Sequence, residues 1–316
     1  MSWASYAIKR GLASLVMLFI ASIVVFGIVR LIPGDPVSII LGTQQGTAGA
    51  EEALRRQLGL DKPPWIQYIE WLTGLLTGDW GESIISGQSI ERLVAIRYPR
   101  SLQLAFLGII VAMVIAFPLG IAGAVRRNTA ADYAAIVFSQ VGVSIPSFWL
   151  GILLIFIFGG VLDALPPSGY VSFNENVVES LRYSVMPVAV LAVINGAIVT
   201  RYLRSEMLEE LNKDYVRTAR AYGHPSERIV GRYVLKNALI PTVTVIGIQV
   251  GWMVGGIVII EQVFDYSGLG QLILNGLLSR DYPVVQIGIL ILAATFIVIN
   301  LVVDLLYGWL DPQVKY

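Results

Sequence analysis

Long apolar runs separated by shorter polar segments dominate this chain. Six of them, Gly11 to Ile32, Leu102 to Val125, Ala134 to Leu162, Val185 to Val199 with its flanks, Leu239 to Ile260 and Val284 to Leu306, match the roughly 20 residues an α-helix needs to cross a bilayer core. They predict six transmembrane helices, and so an all-α membrane protein with a single domain over residues 1–316. The first run follows Lys9 and Arg10, is too long for a signal-peptide core and lacks a small-x-small cleavage site, so it is expected to stay as an anchor.

Two polar segments interrupt the runs. In the first, residues 33–100, Gly49 to Leu60 has helical spacing, with Leu54 and Leu58 one turn apart and Glu51 four residues before Arg55. Gly59 and the pair Pro63, Pro64 mark its end. Trp65, Tyr68, Trp71 and Leu72 then form a second amphipathic run suited to the membrane interface. A small lid packed on the helix ends and a surface for an external partner both fit it.

The second segment, residues 204–238, contains most of DYVRTARAYGHPSERIVGRYVLKNALIP, Asp214 to Pro241. Asp214 suits an N-cap, Tyr215 to Tyr222 make about two turns, and Gly223 followed by Pro225 stops them. Pro225 is expected to open a second helix, with Ser226 and Glu227 in its first turn. On the short helix Ala219 and Gly223 share a low stripe bordered by Thr218 and flanked by Arg217 and Arg220. Another protein could approach that stripe closely. An amphipathic helix lying on anionic lipid, using Arg217, Arg220, Arg228 and Arg232, fits equally well.

Composition and charge narrow the class. Hydrophobic residues make up 56% of the chain and charged residues 14%, too little charge for a soluble surface. Lys plus Arg and Asp plus Glu are both 22, so net charge says nothing about nucleic acid. There is no cysteine, and His224 is the only histidine, which removes disulfides, thiolate chemistry, most metal sites and a His-based triad. Lys9, Arg10, Arg126, Arg127, Lys315 and the dense set between Arg201 and Lys236 fall on one side of six crossings, whereas the opposite short loops carry only Arg182 and Arg280. That asymmetry predicts both termini in the cytoplasm, with residues 33–100 outside and 204–238 inside.

Several ordered blocks carry a family resemblance: RLIPGDP from Arg30, LGLDKPPWIQY from Leu58, SIPSFWLG from Ser144, LPPSGY from Leu165, DYVRTARAYG from Asp214, NALIP from Asn237, GLG from Gly268 and RDYPVVQ from Arg280. Together they span nearly the whole length. The chain resembles the membrane subunit of an ATP-binding-cassette importer of the dipeptide/oligopeptide (peptide/nickel) permease family. The resemblance implies a type I importer permease fold in the plasma membrane and a pairing with a second, similar or identical permease. It also implies two ATPase subunits, which bind the ATP and magnesium, and an extracytoplasmic substrate-binding protein. It implies no nucleic-acid partner and no cofactor in this chain, and it places ATPase docking on the region Asp214, Tyr215, Arg217, Thr218, Ala219, Arg220, Ala221 and Gly223. The broader importer motif begins Glu-Ala-Ala where this chain has Arg217, Thr218 and Ala219. Its Leu-Pro becomes Leu235-Lys236, with Ile240-Pro241 only later. Both departures are typical of the peptide branch but put any glutamate-specific contact in doubt. The sequence has no G-x-x-x-x-G-K-[ST] loop of its own to cradle phosphates, so another chain must bind the nucleotide. The family's substrates include dipeptides, longer peptides, nickel complexes and some sugars.

Within the spans, Gly247, Gly251 and Gly255 form a small-residue ladder that lets another helix approach. Gln249, Trp252 and Gly256 share another face of the same helix and could line a substrate path. Pro118, Pro146 and Pro187 could kink their spans. Asn195, Asn300 and Asp304 are polar groups in or near spans, and Asp304 suits either interfacial solvation or interhelical pairing. An ion-coupled secondary transporter would favour acids deep in the spans and inverted repeats, neither of which stands out. An intramembrane protease has still less support, since no paired membrane aspartates stand out.

Overall fold

Proline and glycine positions decide how the apolar runs are laid out. The computed structural model describes residues 3–31, 49, 52 and 61–310. The long helices are α1 (Trp3–Leu31), α3 (Ile90–Val125), α6 (Val177–Leu211), α9 (Leu235–Val263) and α11 (Tyr282–Leu310). Shorter ones are α2 (Pro64–Thr77), α4 (Ala130–Ser144), α5 (Ser147–Leu154), α7 (Asp214–Ala221), α8 (Ser226–Arg228) and α10 (Leu269–Leu278). Two stretches are wound more loosely as π-helix, Ile155–Val161 after α5 and Ile229–Val234 between α8 and α9. Among the described residues the only β pairing is an isolated antiparallel bridge, Glu82 to Ser89.

Among the described residues five helices are long and apolar enough to cross a membrane, and the predicted third span is the sixth only as a broken pair. α4 and the helix running Ser147–Val161 meet at 103°. The break sits where Ile145 takes an extended conformation (φ −80, ψ 125) before Pro146, because the proline ring disfavours helix in the residue before it. Of the three prolines expected to kink spans, Pro146 marks this break, whereas Pro118 and Pro187 lie inside α3 and α6 without interrupting them. The second span begins earlier than its apolar run, at Ile90, so Ile90 to Arg100 belong to α3 rather than to a separate loop. The amphipathic run from Gly49 to Leu60 falls almost wholly outside the described residues, as does Lys315.

The centre of the bundle is the long contact between α3 and α6. Gly108 and Gly120, twelve residues apart, sit against Leu191 and Leu203 so closely that an added Cβ would lie 3.0 and 3.1 Å from those side chains. Around this pair α4 packs on α6, α9 on α6 and α11, and α1 on α11. Arg10 of α1 reaches Asp304 of α11 at 3.3 Å, so Asp304 is paired across helices. On the other side of α1, Phe26 stacks with Tyr68 and Trp71 of α2, and Ser22 shares a 2.8 Å hydrogen bond with the Tyr68 hydroxyl. Thus Tyr68 and Trp71 face α1, whereas Trp65, Ile69 and Leu76 are exposed. Asp132 and Arg204 form a 2.6 Å ion pair that ties α4 to α6, with Asp132 only 3% exposed and also accepting the Asn128 N–H.

Candidate functional site

At the end of the bundle that carries α7, one face of a polar helix is anchored and the other is free. Val216 is fully buried among Leu203, Met207, Ile229, Val234 and Ala238, with Tyr215 and Ala219 packed against the same cluster. Tyr215 donates its hydroxyl to Glu210 at 2.6 Å and receives the Asn237 carboxamide at 3.3 Å, linking α7 to the end of α6 and the start of α9. The Lys213 ammonium also binds Glu210. This hydrogen bond raises the lysine's pKa, and burial followed by the bond to Glu210 raises that of the Tyr215 phenol.

Capping differs from expectation by one residue at each start. Lys213, not Asp214, is the N-cap and offers no side-chain bond, whereas Asp214 is the first helical residue and pairs with Arg217 at 3.2 Å. Likewise Pro225 is the N-cap of α8 rather than its first residue. The predicted stop is built as a glycine C-cap: Gly223 has φ +76, the His224 N–H returns to the Ala219 carbonyl and the Gly223 N–H to that of Arg220.

The predicted stripe of Ala219 with Gly223 is split, with Gly223 exposed and Ala219 turned inward. Ala219 is half-buried against the core, one turn from Val216 and Tyr215. The free face is instead Asp214, Arg217, Thr218, Ala221 and Tyr222, with Tyr222 80% exposed. These positions recur at helical spacing. Arg220 and Gly223 are exposed beside them, and an added Cβ at Gly223 would meet nothing within 4 Å. Tyr222 is hard to assign to this face from sequence because it stands at the helix end. The signal that orients the face is Val216, the one branched aliphatic residue inside the helix.

The second candidate is on α9, which runs from this end toward α10. Gly247 and Gly251 do pack against a neighbour, facing Val303 and Phe296 of α11, where a Cβ would clash. Gly255 leaves that line and, with Gly256, has open space in front of it. Trp252 is 72% exposed and Ile248 and Ile259 are exposed near it, while Gln249 is half-buried at the margin. Hence Trp252 and Gly256 belong to one unpacked face in the single chain. Asn195 and Asn300 turn their carboxamides onto carbonyls of their own helices, from Leu191 and Phe296.

An all-helical bundle with five or six apolar spans and a polar helix anchored at one end is a membrane-protein architecture, and sequence relatives give its class. Residues 116–316 match the family described as "Binding-protein-dependent transport system inner membrane component", and residues 4–105 match its N-terminal counterpart, "Binding-prot-dependent transport system membrane comp, N-term". The chain is 36% identical over 316 residues to the oligopeptide transport system permease protein of Bacillus subtilis (strain 168), covering 99% of this chain and 100% of that one. It is 36% identical over 332 residues to the dipeptide transport system permease protein of Alkalihalophilus pseudofirmus, covering 99% of each. It is also 36% identical over 312 residues to the glutathione transport system permease protein of Salmonella typhimurium, again covering 99% of each. The chain belongs to this family of binding-protein-dependent permeases.

Proposed function

We propose that this chain forms half of the membrane pathway of a plasma-membrane ATP-binding-cassette importer for di- and oligopeptides. A second permease subunit completes the pathway, two ATPase subunits hold ATP and magnesium, and an extracytoplasmic binding protein delivers the peptide. Both termini lie in the cytoplasm, residues 33–100 lie outside and residues 204–238 inside. The peptide assignment rests on relatives named for oligopeptide, dipeptide and glutathione transport.

The observation that carries the coupling role is the two-sidedness of α7. Its inner residues, Tyr215, Val216 and Ala219, are bound into α6 and α9, while Asp214, Arg217, Thr218, Ala221 and Tyr222 touch nothing of their own chain that would cover them. A partner ATPase seated there, with Arg220 and Gly223 at its edge, would push on α9 through a packed core rather than a flexible loop. On α9, the Gln249, Trp252 and Gly256 face would line the path that alternately opens to each side. No covalent chemistry is assigned to this chain.

The test is uptake of a labelled peptide into liposomes holding the complete complex, with ATP supplied on the side of α7 and an uncoupler added. ATP-dependent uptake that the uncoupler leaves intact supports the importer. Uptake that collapses with the uncoupler at constant ATP would replace it with ion-coupled transport.

A further inference from the structure

A cavity of about 300 Å³ opens at the other end of the bundle, between the start of α3, the Ser83 to Gln88 turn, α10 and the start of α11. Its charged donor is Arg97. This guanidinium is half-buried, and its one hydrogen bond among the described residues is a long one, 3.4 Å to the Gln271 carboxamide oxygen. Glu261 and Asp265 act on it only from longer range, and no carboxylate among the described residues forms an ion pair with it. Asp281 also lines the cavity, but its carboxylate is already engaged by the Ser83 hydroxyl at 2.5 Å and the Ile84 N–H at 3.1 Å. The wall thus carries one charge of each sign, with the Asp281 carboxylate turned onto Ser83 and Ile84 and the Arg97 guanidinium left without a carboxylate partner among the described residues.

The other walls complete a pattern. The exposed Gln88 and Asn275 bring carboxamides with no hydrogen-bond partner among the described residues, and Leu93, Leu272 and Val284 supply an aliphatic side. A guanidinium matches a carboxylate with a planar fork of donors, carboxamides pair with peptide N–H and C=O groups, and the aliphatic wall suits an apolar side chain. The volume is at the small end of ligand cavities, right for one end of a short peptide rather than for the surface of a folded protein.

We propose that this cavity receives the free carboxylate end of the transported peptide, with Arg97 as its charge partner. The proposal rests on the peptide reading above and on the orientation that puts this end of the bundle outside.

The test compares ATP-driven uptake of a dipeptide and of its C-terminal amide by the reconstituted transporter, for the unaltered chain, Arg97→Gln and Arg97→Lys, each normalised to assembled complex. The binding protein is the same throughout, so any change in the acid-to-amide ratio comes from the permease. Losing a charged hydrogen bond should lower that ratio about tenfold in Arg97→Gln. Arg97→Lys, which keeps the charge without the fork, should fall between. A ratio equal in all three chains overturns the proposal, whether uptake is unchanged or both forms fall in parallel. A parallel fall would fit an acidic side chain of the binding protein docking at Arg97, or a merely structural role. Uptake of neither form by the unaltered transporter overturns the peptide reading itself, and the cavity assignment with it.

Discussion

Ser101 on α3 donates its hydroxyl to Glu261 on α9 at 2.5 Å, and the same oxygen accepts the N–H of Leu269, the first residue of α10. The second carboxylate oxygen of Glu261 accepts the Gln271 N–H at 3.0 Å. Gly268, the N-cap of α10, has no side chain to do this, so the Ser101 hydroxyl and the Glu261 carboxylate, from two other helices, take the free N–H groups of Leu269 and Gln271 in the first turn. One buried acid thereby joins three helices.

That arrangement makes the glycine before α10 sensitive. A Cβ on Gly268 would lie 2.1 Å from the Glu261 carboxylate, so Gly268→Ala should cost about 1–3 kcal/mol through overpacking. Ser101→Ala, which removes a hydrogen bond to a carboxylate, should cost a similar amount. The melting midpoint of the detergent-solubilised chain reads both. An unchanged midpoint for Gly268→Ala would mean that Glu261 is not seated there.

Which parts of this fold can be read from sequence follows from the range of each interaction. Apolar run length sets the spans, and Gly223 with Pro225 marks the turn, because both are local effects. The break at Ile145 and Pro146 was visible as a proline, but so were Pro118 and Pro187, which sit in unbroken helices, and composition alone does not separate them. Asp132 with Arg204, 72 residues apart, and Ser101 with Glu261, 160 apart, are pairings that only the packing of α3, α4, α6 and α9 selects. For the same reason Ala219 looked available by its spacing from Gly223, whereas the cluster around Val216 claims it.

Orientation is testable because the chain has no cysteine. Ser226→Cys, at an exposed position, should react only with reagents that reach the cytoplasm. Asn174→Cys should label from outside. Asn174 is a better site than the neighbouring Ser172, which is half-buried and accepts backbone N–H groups from Asn174, Glu175 and Asn176. Reversed labelling would invert the topology and move α7 away from any cytoplasmic ATPase.

The anchor of α7 should loosen in alkali. Lys213 has its pKa raised by Glu210, so its contribution is complete below the unfolded lysine value of 10.5 and is lost as pH rises through the folded value. The Tyr215 phenol, raised by burial and then by Glu210, acts with the same sign from its ordinary 10.0 upward. Hydrogen exchange over residues 213–223, corrected for its intrinsic pH dependence, should show constant protection through neutral pH and a fall above about pH 10. In Lys213→Met the fall should be smaller. An equal fall in both chains would remove the lysine from the anchor.

The face of α7 can be decided by placing the same bulky residue on its two sides. Ala221→Trp adds a ring to the exposed face, where surface substitutions usually change stability by no more than about 0.5 kcal/mol. It should nevertheless reduce co-purification of the ATPase and peptide uptake by tenfold or more, because a close-packed interface does not accept the added volume. Ala219→Trp puts the ring into the cluster of Val216, Leu203 and Ile229, so it should lower the melting midpoint through overpacking, by about 1–3 kcal/mol, and impair uptake through instability. If α7 instead lay on lipid, Ala221→Trp would be tolerated at the interface, and reversal of Arg217 and Arg220 to glutamate would be the damaging change. Full ATPase association and uptake by a stable Ala221→Trp chain would therefore end the docking assignment, while the packing role of Val216 and Ala219 would stand.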